Sequence, residues 1–124
     1  MVAEPTTRER LLRVVWNEIR GLTPQNVRNY TAAARAIDAG AAPSDIASAM
    51  MAAQYEIAFR LLFLLSCENA EEGNYEATLG WSLEEVALDL HGGRTPTGTD
   101  SLLCVHEDLL TSDPLGVEGR DIIT

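Results

Sequence analysis

Residues of metal-ligating type gather at Cys104-Val-His106-Glu107-Asp108, with His91 fifteen residues before His106. A thiol, an imidazole and carboxylates are the groups that hold zinc, but zinc needs three or four of them converging on one point. On a helix, positions 104 and 108 share a face while 106 and 107 point elsewhere. No H-E-x-x-H pair and no C-x-x-C spacing is present. No metal or cofactor is expected. Nucleophilic catalysis is no better supported: there is no G-x-S-x-G turn, and Cys67 follows an apolar run where a thiolate is disfavoured. Glycines 92, 93 and 98 do not form a phosphate loop, which needs a lysine that the chain lacks. Three adjacent acid pairs (Glu71–Glu72, Glu84–Glu85 and Glu107–Asp108) have the composition that acid–base work uses. Neighbouring acids on a helix mostly face water, so no catalytic residue is assigned.

Two patterns could bind macromolecules. Around 36–49, Ala36, Gly40, Ile46 and Ala49 fall where a helix-turn-helix wants small or apolar residues. Arg35 takes a position usually apolar, and the would-be recognition helix presents Asp45, Ser48, Gln54 and Glu56 with no base before Arg60. Phosphate contacts from basic side chains supply most affinity for nucleic acid, so none is expected as a partner. The second pattern is a basic stripe on the first helix. Arg10, Arg13, Asn17 and Arg20 read as the side opposite its apolar face, where the arginines suit an acidic partner.

The elements that would position these residues follow from composition and punctuation. The chain has 124 residues, 46% hydrophobic and 23% charged, with only two cysteines, which excludes disorder and a disulfide scaffold. One domain of this size buries roughly two-thirds of its unfolded surface. The net charge of −10 is unevenly spread. Residues 1–35 hold six arginines against three acids, and residues 36–124 hold three arginines against sixteen. Such a split reflects a partner or two halves that face each other. The N-terminus lacks the basic start and continuous apolar core of a secretory signal. The most apolar stretch, 46–65, carries Gln54, Glu56 and Arg60, with the two charges paired at i,i+4, so no membrane span is expected. Cys67 and Cys104 are accordingly read as reduced core thiols of a cytoplasmic protein.

Thr6 and Glu9 form a capping box for a first helix whose apolar face is Leu11, Leu12, Val15, Trp16, Ile19 and Leu22, with Gly21 as a left-handed stop. Gly21-Leu-Thr-Pro24 recurs as Gly40-Ala-Ala-Pro43, each glycine ending one helix and each proline opening the next. A second helix over 24–39 results. The third, uninterrupted from Ser44 to Glu72 and apolar nearly all round between 57 and 65, reads as buried on every side. Its roughly 29 residues would reach ~43 Å, against a diameter of about 35 Å for a sphere of this chain. A second copy is expected to cover the overhang, giving a homodimer with Phe59, Leu62 and Phe63 in the interface. Residues 69–73 end that helix. Residues 79–90 fit a helix, capped by Ser82 and Glu85, better than a pair of short strands, although a β-hairpin within 79–98 remains open. A last helix runs from Thr99 or Asp100 to Thr111.

The expected fold is therefore all-α: four or five helices bundled around a long buried third helix, with residues 1–112 as one helical domain and 113–124 as an extended tail. The expected function is that of a small acidic interaction or regulatory module, non-enzymatic, acting through homodimerisation and a protein partner. Arg10, Arg13 and Arg20, with Ile122 and Ile123 of the tail, would form the partner-binding surface. The alternative is a small-molecule binding protein or small enzyme. Its pocket between helices would be lined by Trp16, Tyr55, Phe59 and Trp81, with His91, Arg94 and His106 at the mouth.

Overall fold

The structure is a computed structural model that describes residues 3–68 and 79–123. Thr6 is extended and its hydroxyl accepts the Glu9 amide at 3.1 Å, which caps helix α1, Thr7–Ile19. Leu12, Trp16 and Ile19 are its buried residues. Gly21 does not take a left-handed conformation. Thr23 and Asn26 instead exchange side-chain bonds with each other's amides (2.8 and 3.1 Å), and the Asn26 amide group donates to the Gly21 carbonyl at 2.8 Å. These reciprocal bonds are a capping box that starts a single turn, with the Val27 amide on the Thr23 carbonyl at 3.1 Å. The expected helix over 24–39 is broken into a 3₁₀ turn, Asn26–Asn29, an extended Tyr30, and a short helix α2, Thr31–Asp38. Gly40, at φ +113°, ends α2: its amide donates to Ile37 and that of Ala41 to Ala36, a complete Schellman motif. Pro43 then opens helix α3, Pro43–Phe63, which runs on as a wider π-type turn over Leu64–Glu68.

The remaining elements correct the expected architecture. The helix expected over 79–90 gives way to an antiparallel hairpin of β1, Val86–Leu88, and β2, Arg94–Pro96, pairing Val86 with Pro96 and Leu88 with Arg94. Asp89 sets its turn by accepting the amides of His91 and Gly93. Glu85 is not a helix-capping residue. Its carboxylate accepts the hydroxyls of Thr7 and Thr97, which hold it below the usual carboxylate range. The helix expected over 99–111 shrinks to a 3₁₀ turn, Val105–Asp108. Cys104 before it is left-handed (φ +49°), and Arg8 takes the carbonyls of Ser101, Leu103 and Cys104 that a helix would need for itself. Nor is α3 buried on every side: Ala47, Tyr55 and Leu62 are its buried residues. Among the described residues, four helices, the last a single turn at Arg120–Ile123 (α4), with a two-stranded sheet, replace the all-α bundle. The stop expected at 69–73 lies outside the described residues.

What unites the pieces is one ridge of α1. Arg8, Leu12, Trp16 and Arg20 recur at every fourth residue and so share a helix face. Trp16, wholly buried, donates its indole N–H to the Leu109 carbonyl at 2.7 Å. Arg8 pairs with Asp108 at 2.6 Å. Arg20 bonds both Asp113 (2.8 and 3.1 Å) and Asp121 (2.8 and 2.9 Å), with its guanidinium 5.0 Å from the Trp16 ring centre. Residues 113–123 consequently fold back on the body, and Ile122 and Ile123 pack against the core of Leu12, Trp16, Ile19, Tyr55, Leu62, Val105 and Leu109. A smaller core of Leu22, Val27, Ala33, Ile37 and Ala47 lies under α2.

Asp113 is the most constrained carboxylate described. Its side chain has no exposure to solvent, and it also accepts the amides of Leu115 and Gly119. Burial opposes its charge, but Arg20 and the two amides outweigh that and hold its carboxyl below the usual range. The hydrogen bond from Arg20 holds Asp121 low as well. A carboxyl depressed by folding adds stability that is full above its unfolded pKa of about 3.9 and is lost as pH falls towards the folded value. Asp113→Asn should cost on the order of 3 kcal/mol at neutral pH. It should also flatten the fall in melting temperature below about pH 4. Calorimetry of both proteins from acid to neutral pH measures the two effects; an unchanged acid limb would contradict the assignment.

Candidate functional site

Exposed apolar residues occur at several places on the surface, Leu79, Leu88, Leu90, Leu103 and Leu115 among them, but those on α3 and the neighbouring edge of α1 form a regular series. Ala49, Ala53, Ile57, Leu61 and Leu65 follow one another at intervals of four, and all five are exposed. The large ones are exposed well beyond what a core helix shows: Ile57 by 60%, Leu61 by 52% and Leu65 by 43%, with Val14 of α1 at 57%. Between the helices runs an open groove of about 550 Å³, walled by Val14, Val15, Ile57, Ala58 and Leu61 and almost devoid of polar surface. Gln54 closes one end. Its amide, in the orientation that suits its neighbours, donates to the Glu18 and Ile19 carbonyls (3.0 and 2.9 Å) and ties the last turn of α1 to α3. By length and hydropathy the segment Pro43–Cys67 meets the requirement for crossing a membrane. In this fold, however, α1, α4 and the turn at Val105–Asp108 pack against one side of α3, and Glu56 and Arg60 stand exposed beside its apolar stripe. Neither charge enters an ion pair among the described residues, so the expected Glu56–Arg60 pair is not formed.

The residues singled out from the sequence are dispersed. Arg10 is exposed and donates to the Pro5 carbonyl at 3.2 Å. Arg13 is exposed on the wall of a cleft of mixed polarity, about 730 Å³, that includes Arg8, Asp108, Thr111 and Ser112. Arg20 belongs to the interior cluster with Asp113 and Asp121. On a helical wheel it stands only about 40° from Trp16, so its ridge, not a solvated stripe, decides its role. Ile122 and Ile123 are partly buried against the core. Of the expected dimer residues, Leu62 is buried, while Phe59 and Phe63 are partly buried with their rings edge-on to His106 at 5.1 and 5.0 Å.

Among the described residues, none of Trp81, His91, Arg94 and His106 lines the apolar groove or the cleft at Arg13. Trp81 lies on the surface with its indole donating to the Leu64 carbonyl at 2.7 Å. His91 and Arg94 are exposed on the hairpin, whereas His106 is buried between two phenyl rings with Nδ1 unbonded among the described residues. The exposed stripe on α3 was the signal that sequence reading missed. Its spacing of four was visible, but a uniformly apolar helix does not declare which side its neighbours will cover.

Cys67 and Cys104, expected as separate reduced thiols, are joined in a disulfide. The link fastens the end of α3 to the turn at Val105–Asp108, supported by the Cys104 amide donating to the Ser66 carbonyl at 3.1 Å. It also removes the thiolate from the Cys104–His106–Asp108 cluster. Compared with protein-family models, with characterised proteins and with solved structures, the chain shows no match. Functional inference therefore rests on this geometry.

The disulfide joins cysteines 37 positions apart in sequence. A cross-link of that span restricts the unfolded chain by about 3–4 kcal/mol in the loop-entropy account. Reduction, or replacement of both cysteines by alanine, is expected to lower unfolding free energy in urea by roughly that amount. Two titratable thiols in the native protein before reduction would overturn the linkage.

Proposed function

We propose that the protein is a small acidic interaction module, non-enzymatic, whose working surface is the groove between α1 and α3 with the apolar stripe beside it. The observation that carries this reading is the exposure of Val14, Ile57 and Leu61 around a groove with almost no polar lining. Large contiguous apolar patches on a folded surface mark association sites, because covering them removes unfavourable contact with water. The surface suits self-association and a protein partner alike, and the exposed Glu56 and Arg60 at its rim supply the steering and choice of partner that charges provide.

This reading moves the interface away from the residues expected to form it. Arg20, Leu62, Ile122 and Ile123 are occupied within the chain, and Arg10 and Arg13 lie away from the groove walls. For the small-molecule alternative, Trp81, His91 and Arg94 are exposed and His106 is packed between Phe59 and Phe63 among the described residues. A cytoplasmic address, proposed from the sequence with reduced cysteines in view, now requires that the Cys67–Cys104 bond form there intermittently; a persistent cystine fits an oxidising compartment.

The surface is tested by placing a photo-reactive benzoylphenylalanine at position 57 of the full chain, and separately at position 13, in extract of the cells that make it. Irradiation should give discrete protein adducts from position 57 and none from position 13. Leu61→Asp should abolish those adducts while leaving circular dichroism unchanged, since exposed substitutions cost within about 0.5 kcal/mol. Equal labelling from both positions, or none from position 57, would overturn the proposal.

A further inference from the structure

We infer that the occupant of the α3 face is a second copy of this chain, laid antiparallel across α3 about a twofold axis at the level of residue 59. The inference rests on the proposed working surface and adds which partner covers it and in what orientation. Three features of the face point the same way.

The first is periodicity. Exposed apolar residues at 49, 53, 57, 61 and 65 form a single ridge of the i,i+4 type. Such a ridge offers a neighbouring helix one continuous apolar strip.

The second is size. The ridge is graded, from Ala49 and Ala53 through Ile57 to Leu61 and Leu65. Antiparallel pairing about residue 59 sets Leu65 of one copy over Ala53 of the other and Leu61 over Ile57, so large side chains meet small ones and interdigitate. Parallel pairing would stack leucine on leucine at one end and leave the alanines facing a void at the other.

Charge is the third. Glu56 and Arg60 are exposed on the same flank of the ridge and unpaired among the described residues. A twofold axis perpendicular to antiparallel helices returns each flank to itself with its direction reversed. Glu56 of one copy then faces Arg60 of the other, and symmetry repeats the pair. The arrangement is self-complementary, whereas a parallel dimer sets this flank against the opposite one. It also answers the repulsion between two chains of net charge −10, because Asp45, Glu56 and Arg60 are the only charged residues of α3 and the last two neutralise each other across the axis.

Light scattering during size-exclusion chromatography, over a micromolar to hundred-micromolar range, tests the pairing on the intact chain. The expected particle is about 27 kDa, twice the 13.5 kDa chain. Glu56→Arg and Arg60→Glu should each weaken dimerisation by roughly tenfold or more, and the double reversal should restore it to near the original strength. Leu61→Asp should give a folded monomer by circular dichroism. A 13.5 kDa particle throughout the range overturns the inference, as do single reversals without effect or a double reversal that fails to rescue. A monomer whose position 57 cross-links to a different protein removes the second copy and leaves the surface reading standing. A monomer with no adduct there removes both. Sedimentation of a monomer with phosphatidylcholine vesicles, abolished by Leu61→Asp, would transfer the face to a membrane and also overturn the pairing.

Discussion

The fold depends on how one ridge of α1 grips the carboxy-terminal quarter of the chain. Arg8, Leu12, Trp16 and Arg20 reach segments about a hundred residues away in sequence, and each does so differently. Arg8 collects carbonyls and the Asp108 carboxylate; Leu12 and Trp16 are core; Arg20 holds Asp113 and Asp121 together. The contacts between these groups are mutually supporting. The Trp16 ring packs under the Arg20 guanidinium and donates to the backbone four residues before Asp113, so neither cation nor ring has an alternative partner of equal quality. Long-range contacts of this kind carry a large closure cost. The disulfide from α3 to Cys104 reduces that cost by confining the loop that precedes the gripped segment.

This arrangement accounts for the uneven charge along the chain. The arginine-rich first third and the acid-rich remainder face each other, with Arg8 on Asp108 and Arg20 on Asp113 and Asp121. Part of the split is thus met inside the molecule. It also explains the placement of the free surface. With one side of α1 committed to the carboxy-terminal segments and one side of α3 committed to the same core, the opposite edges of both helices are left with apolar residues and no local cover.

The chemistry-bearing residues are placed by packing demands rather than by a reaction. His106 serves as an aromatic spacer between Phe59 and Phe63, the acids near it face outward or pair with Arg8, and Cys104 is tied to Cys67. Groups that looked like a ligand set along the sequence are separated by the tight turn at Val105–Asp108, which points consecutive side chains into different surroundings.

The sequence by itself determined the features governed by local bonding. Thr6 capping α1, the apolar face of Leu12, Trp16 and Ile19, Gly40 closing α2 and Pro43 opening α3 all follow from φ preferences and orphan amides within a few residues. Only the tertiary structure decided where competing local choices stood close in energy. Residues 79–98 carried both helical and alternating patterns, and the hairpin prevails as Glu85 turns to Thr7 and Thr97. Residues 99–111 had a helical apolar face, and Arg8 and the disulfide claim their backbone instead. The exposed side of α3 and the interior role of Arg20 were equally undecidable locally. A helix whose residues are apolar all round, or a cation at the edge of an apolar stripe, has its environment set by whichever distant segment packs against it, and that contact has no signature within one turn of chain.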